Sequence, residues 1–187
     1  MNSPKLFMLL IGCKPKGRHT EQHDVFFGIA EHTKELIPHL HQFWPEAEGK
    51  MHIDAWREVT AVNGYTVRII PMEQSLNGEA KLFFINLGGY KKDEFEEFHY
   101  KMIVASPEKA AAIQFAKQSA FYQHTGFDDA PSHVDDKYGV DVDDVYEIDD
   151  ILSPTFKQTW KVVLQKTIQP VTEDKLHLGY FKLSSFV

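Results

Sequence analysis

Two segments of this chain are copies of one another in outline. Residues 5–23 (KLFMLLIGCKPKGRHTEQH) and 81–99 (KLFFINLGGYKKDEFEEFH) align without a gap at an offset of 76. Seven of these 19 positions are identical: Lys5/Lys81, Leu6/Leu82, Phe7/Phe83, Gly12/Gly88, Lys16/Lys92, Glu21/Glu97 and His23/His99. Unrelated segments of this length share roughly one identity, so the pattern points to an internal duplication. Downstream the likeness is one of class, with VFFGIA (25–30) facing KMIVAS (101–106). His52-Ile53-Asp54 then matches His133-Val134-Asp135 at an offset of 81, which implies a five-residue insertion in the second copy. Thr66-Val67-Arg68-Ile69 resembles Val145-Tyr146-Glu147-Ile148. A repeat of about 75 residues is too long for a solenoid unit and reads as two fused half-domains.

Each copy is expected to run strand, loop, strand, helix, strand, strand. The short apolar runs 5–11 and 81–87 end at glycine and read as buried strands, with second strands over 23–30 and 99–105. In the second copy Ser106 is placed as the cap of a helix over 107–123, with Pro107 at its first position and Ala112, Ile113, Ala116 and Ala120 at helical spacing. The first copy carries Leu36, Leu40, Phe43 and Trp44 on one helical face, which Pro38 would interrupt. Residues 51–59 and 65–71 read as a hairpin across Asn63-Gly64, with 133–140 and 144–149 as their equivalents. Residues 159–167 and 175–186 read as further strands. The expected fold class is α+β, an internal duplication of a ββαββ unit with mostly antiparallel sheet, two covering helices and added C-terminal strands. Its divisions are 1–75, 76–150 and a completing tail 151–187, packed as one pseudo-symmetric domain.

Charge and cysteine content narrow the partners. The net charge of the 187 residues is −7, which disfavours phosphate backbones, so no nucleic-acid partner is expected. Residues 128–150 carry nine Asp and one Glu against Lys137, a local charge of −9 that leaves +2 for the remainder. The opposite pole is Lys14-Pro15-Lys16-Gly17-Arg18-His19. The two poles are complementary and suit pairing across a homodimer or within one chain. Cys13 is the only cysteine, so no intrachain disulfide forms and a reducing, cytoplasmic setting is expected. No apolar run approaches the roughly 20 residues of a membrane span, and the N-terminus has no cleavage site of the secretory type. No membrane partner is expected.

The opening strand Lys5–Gly12, the run Glu21-Gln22-His23-Asp24-Val25-Phe26-Phe27 and the later Lys50-Met51-His52-Ile53-Asp54 resemble a small bacterial family known as domain of unknown function 1543. The resemblance spans most of 5–150 and implies one or two copies of the unit, in agreement with the repeat. It implies architecture and no chemistry.

The polar residues kept between the copies are Glu21/Glu97, His23/His99, His52/His133 and Asp54/Asp135. Glu21 and His23 are two apart, as are His52 and Asp54, so each pair shares one face of a strand. Two readings stand open. In the structural one, these groups satisfy buried polar atoms within the sheet. In the functional one, imidazoles and carboxylates form a metal or acid–base site. No cofactor is required by the sequence, and a divalent metal is what such a site would hold. Cys13 before a basic loop suits an activated thiolate or, more simply, a buried thiol. Asp141-Val142-Asp143-Asp144 has an acidic spacing like a calcium loop without its Gly and Glu. Function is therefore read as that of a non-catalytic module that binds a small ligand or a protein partner, with a homo-oligomer expected; the alternative is a His/carboxylate site of a divalent-metal-dependent hydrolase.

Overall fold

The computed structural model describes residues 3–90, 93–125, 140–168, 172 and 174–186. In chain order the elements are β1 (Lys5–Cys13), β2 (Gln22–Ala30), α1 (Ile37–Phe43), β3 (Met51–Val59), β4 (Ala61–Val62), β5 (Tyr65–Pro71), β6 (Lys81–Tyr90), β7 (Glu97–Ser106), α2 (Lys109–Thr125), β8 (Val140–Glu147), α3 (Ile148–Ile151), α4 (Pro154–Thr159), β9 (Trp160–Lys166) and β10 (His177–Lys182). The fold is mixed α+β, with every paired strand antiparallel. No helix among the described residues is long and apolar enough to cross a membrane. The chain divides into two compact units, one formed by residues 1–77 and 152–187 and the other by residues 78–151.

Unit 1 is built on a four-stranded sheet in the order β10-β3-β1-β2, beside a smaller sheet β4-β5-β9. Strand β1 is central and buried along most of its length: Leu6, Leu9 and Ile11 are fully enclosed. Ahead of α1 the chain takes one 3-10 turn, Thr33–Leu36. Pro38 then falls in the first turn of α1, where its missing amide costs no intrahelical hydrogen bond. The interruption expected at Pro38 thus takes the form of a switch from 3-10 to α geometry. Leu36 and Leu40 are fully buried, and Phe26 meets Phe43 edge-on with ring centres 5.4 Å apart. His39 on α1 lies against Phe156 of α4, ring centres 4.4 Å apart.

The hairpin expected between 51–59 and 65–71 is different in detail. Asn63 (φ 48°) and Gly64 (φ 80°) do form the turn, as the paired positive angles of a type I′ hairpin require. The turn joins β5 to the two-residue β4, however, while β3 belongs to the other sheet. Thr60 marks the break: its amide donates to Asp174 Oδ2 at 2.8 Å, as does the Ala61 amide at 3.2 Å. A carboxylate from the tail thus takes the donors that a continuous ladder would have used. The tail also adds β10 to the edge of β3 and β9 to the edge of β5.

Unit 2 is a three-stranded sheet in the order β7-β6-β8, with α2 on one face. Phe83, Ile85 and Leu87 alternate along β6 and pack with Val104, Ala112 and Ala116 in one buried cluster. Ala112 and Ala116 stand one turn apart, and their small side chains let the helix approach the sheet closely. The expected helix cap is corrected: Ser106 ends β7, and the helix opens at Lys109 after the Glu108 carbonyl accepts from the Ala112 amide at 3.1 Å. Ser106 Oγ donates to that same Glu108 carbonyl at 3.0 Å and accepts from the Glu108 amide at 3.4 Å, so its side chain caps the turn that leads into the helix although the helix itself opens later. Residues 144–147 are also corrected. They continue β8 beside β6, and 148–151 is helical, so no second hairpin follows. Among the described residues unit 2 is therefore ββαβ, and Val145–Glu147 occupies the place of β3 rather than that of β5.

Candidate functional site: a His/carboxylate cluster at a β-bulge

The register of unit 1 explains how four polar side chains meet. Gly12 of β1 lies opposite His23 on β2 and opposite His52 on β3. Directly opposed residues in an antiparallel sheet share a face, so both imidazoles stand on the face that Gly12 leaves bare. Between Leu10 and Ile11 the register against β3 shifts: Leu10 pairs with Ala55 and Ile11 with Ile53, leaving Asp54 as the extra residue of a bulge. A bulge re-aims a side chain locally. Here it brings the Asp54 carboxylate over Gly12 beside His52. A Cβ on Gly12 would come within 2.7 Å of His52 Nε2 and 2.8 Å of Asp54 Oδ2. Glycine at this position is thus required by space, since its φ is ordinary.

The distances define a compact donor set. His23 Nε2 lies 3.1 Å from Asp54 Oδ2, and His52 Nε2 lies 3.2 Å from Asp54 Oδ1. Glu21, just ahead of β2, brings Oε1 to 3.4 Å from His52 Nε2 and Oε2 to 3.9 Å from His23 Nε2. Ligand atoms of Glu21, His23 and His52 all lie within 4.8 Å of one another. Donors 2.0–2.1 Å from a tetrahedral zinc stand about 3.4 Å apart, so these spacings suit a shared cation. His52 is held firmly: its side chain is 7% exposed, and Tyr180 of β10 stacks on its ring at 4.2 Å. Glu21 and His23 are 46% and 40% exposed, so the cluster opens to solvent on their side.

The Asp54 carboxylate bears on both readings that the sequence leaves open. Asp54 Oδ2 is buried and accepts no hydrogen bond, although His23 Nε2 is only 3.1 Å away. A cation within the cluster would take that oxygen together with the imidazole nitrogens as ligands.

Unit 2 repeats much of this arrangement at the same register. Gly88 lies opposite His99 on β7 and opposite Asp141 on β8. The bulge recurs between Asn86 and Leu87, paired with Asp144 and Val142, and leaves Asp143 as the extra residue. His99 Nε2 is 3.2 Å from Asp143 Oδ2 and 4.0 Å from Glu97 Oε2. The strand register thus sets Asp143, rather than Asp135, at the place of Asp54, and Asp141, rather than His133, at the place of His52. His133 and Asp135 lie outside the described residues. A sequence signal for the correct register exists. The apolar spacing Met51, Ile53, Trp56 recurs as Val140, Val142, Val145, two residues and then three, as a bulged strand demands.

The remaining candidates fall away from the cluster. Cys13 is buried, and that burial, with Glu21 and Glu46 as nearby negative charges, raises its thiol above the usual range. This is opposite to the activation a nucleophile needs. Asp141–Asp144 lies in strand β8 and forms no calcium loop. Lys14, Lys16 and Arg18 are exposed on the turn joining β1 to β2.

Comparison with known proteins bears on the same segment. A family model described as Domain of Unknown Function (DUF1543) matches residues 18–69, the stretch that contains Glu21, His23, His52 and Asp54. No curated protein matches significantly. The crystal structure of a protein Il1583 from Idiomarina loihiensis aligns over 96% of this chain and 98% of that chain, with a TM-score of 0.63 and 19% sequence identity. At that identity the likeness is one of fold. The chain therefore has the fold of Il1583 and, over residues 18–69, the sequence pattern of the DUF1543 family.

Proposed function

We propose that unit 1 is a divalent transition-metal centre held by Glu21, His23 and His52, with Asp54 completing the donor set, and that it serves metal-dependent hydrolysis of a small polar substrate. The observation that carries this reading is the Asp54 carboxylate set between two imidazoles, Oδ2 at 3.1 Å from His23 Nε2 and Oδ1 at 3.2 Å from His52 Nε2. Two imidazoles with carboxylates suit zinc, iron or manganese better than calcium. The half-exposed side formed by Glu21 and His23 leaves room for water or substrate, as catalytic rather than closed structural sites do. A metal bound there would act as a Lewis acid and lower the pKa of a bound water. The protein's part is positional: the bulge aims Asp54, Gly12 makes room for it, and Tyr180 fixes the His52 ring.

Metal titration of tag-free protein against a chromophoric chelator tests the proposal. One tight zinc equivalent is expected, weakened about 100-fold or more in His23→Ala and in His52→Ala. Turnover of activated ester substrates should fall with it. Tight zinc binding that survives both substitutions would remove the metal centre. Tight binding without turnover of any ester would leave a non-catalytic cation-binding module.

A further inference from the structure

We infer that unit 2 carries a second, chemically distinct cation site, formed by Glu97, His99 and Asp143, whose preference lies with a harder ion of the manganese(II) class. Ligand atoms of these three residues lie within 4.8 Å of one another. They come from two strands flanking β6, and the arrangement rests on the same two devices as in unit 1. The bulge in β8 turns Asp143 toward His99. Gly88 keeps the space beneath clear: a Cβ there would collide with the Asp143 carboxylate, with Oδ1 at 2.7 Å. A glycine notch, an opposed histidine and a bulged aspartate occur together in both units.

The donor chemistry differs. Unit 1 offers two imidazoles, from His23 and His52, beside the carboxylates of Glu21 and Asp54, whereas unit 2 offers one imidazole beside the carboxylates of Glu97 and Asp143. The register position of His52 is filled in unit 2 by Asp141. Losing one imidazole while keeping two carboxylates raises the share of oxygen donors and shifts preference from borderline ions such as zinc toward oxygen-seeking ions such as manganese and magnesium. The site also lacks an enclosed donor, since Glu97, His99 and Asp143 are each about one-third exposed or more whereas His52 is 7% exposed, so binding is weaker and exchange faster than in unit 1. Raw affinity still favours zinc over manganese at either site, by the general order of divalent metals. The distinguishing quantity is therefore the zinc-to-manganese affinity ratio.

The test uses full-length, tag-free protein carrying His23→Ala and His52→Ala, so that unit 1 cannot contribute. Free manganese(II), followed by electron paramagnetic resonance, should be depleted by one saturable equivalent per chain. That equivalent should be lost in the same background with Asp143→Asn, a nearly isosteric change, while circular dichroism stays unchanged. The zinc-to-manganese ratio should be at least tenfold smaller than the ratio measured for unit 1 in an Asp143→Asn, His99→Ala protein. Absence of saturable manganese binding, survival of binding in Asp143→Asn, or equal ratios at the two sites would each overturn the inference. Failure here with an intact zinc equivalent at His23 and His52 would leave the proposal for unit 1 standing, and the converse also holds.

Discussion

Gly12→Ala is expected to disable the cation site of unit 1 while leaving its strands paired. The added methyl group would stand 2.7 Å from His52 Nε2 and 2.8 Å from Asp54 Oδ2, closer than real carbon contacts allow, so both side chains must leave their places. Such overpacking costs about 1–3 kcal/mol, and displacing two donors at once is expected to weaken zinc binding by about 100-fold or more. Gly17→Ala is the matched control. A Cβ there meets nothing, and only its positive φ of 81° makes it unfavourable, at about 1–2 kcal/mol. Both variants should lose stability by similar amounts in urea, yet only Gly12→Ala should lose zinc in a competition titration. Equal zinc affinity in Gly12→Ala and the native protein would show that His52 and Asp54 are not held over that glycine.

Trp56→Ala is expected to have the largest effect on stability, about 3 kcal/mol, the low end for a large aromatic because Trp56 is only partly buried. Trp56 is where the tail meets the first sheet. Its ring stacks on His177 with centres 3.9 Å apart and planes 5° from parallel, and it meets Phe186 edge-on at 5.7 Å and Phe7 at 6.3 Å. Removing it takes away the contacts that seat β10 against β3. Since β10 also supplies Tyr180, which covers His52, the loss should spread to the site. Hydrogen exchange should show faster amide exchange along β10 than along β1, together with a lower urea midpoint. An unfolding free energy within about 1 kcal/mol of the native protein's, or unchanged protection along β10, would place the anchorage of the tail elsewhere.

How much of this was legible in the residues depended on whether the repeat ran without a gap. Over 5–23 and 81–99 the alignment has none, and it identifies Gly12 with Gly88 and His23 with His99, which stand at equivalent register positions, and Glu21 with Glu97, each two residues before its histidine. Past the helices the only guide was the short match of His52-Ile53-Asp54 to His133-Val134-Asp135. Identity of two polar residues outweighed the apolar spacing, which is the stronger constraint because it decides which face of a strand is buried. A strand with a bulge breaks strict alternation, and so β8 looked like a weak, acid-rich strand pair when it is one strand with Asp143 set out of register. The pairing of β10 with β3 was beyond reach for a different reason. The tail announced itself as strand by composition, but nothing local chooses a partner strand more than 100 residues away. The role of Tyr180 beside His52 follows only from that pairing.

The account turns on a metal ion seated among Glu21, His23 and His52. Anomalous diffraction collected on both sides of the zinc absorption edge, from crystals of tag-free protein grown with zinc, tests it most directly. The account predicts a strong anomalous peak bonded to Nε2 of His23, Nε2 of His52 and a Glu21 carboxylate oxygen, with an Asp54 oxygen within reach. Well-ordered density for all four side chains, hydrogen-bonded to one another with no peak between them, would contradict it.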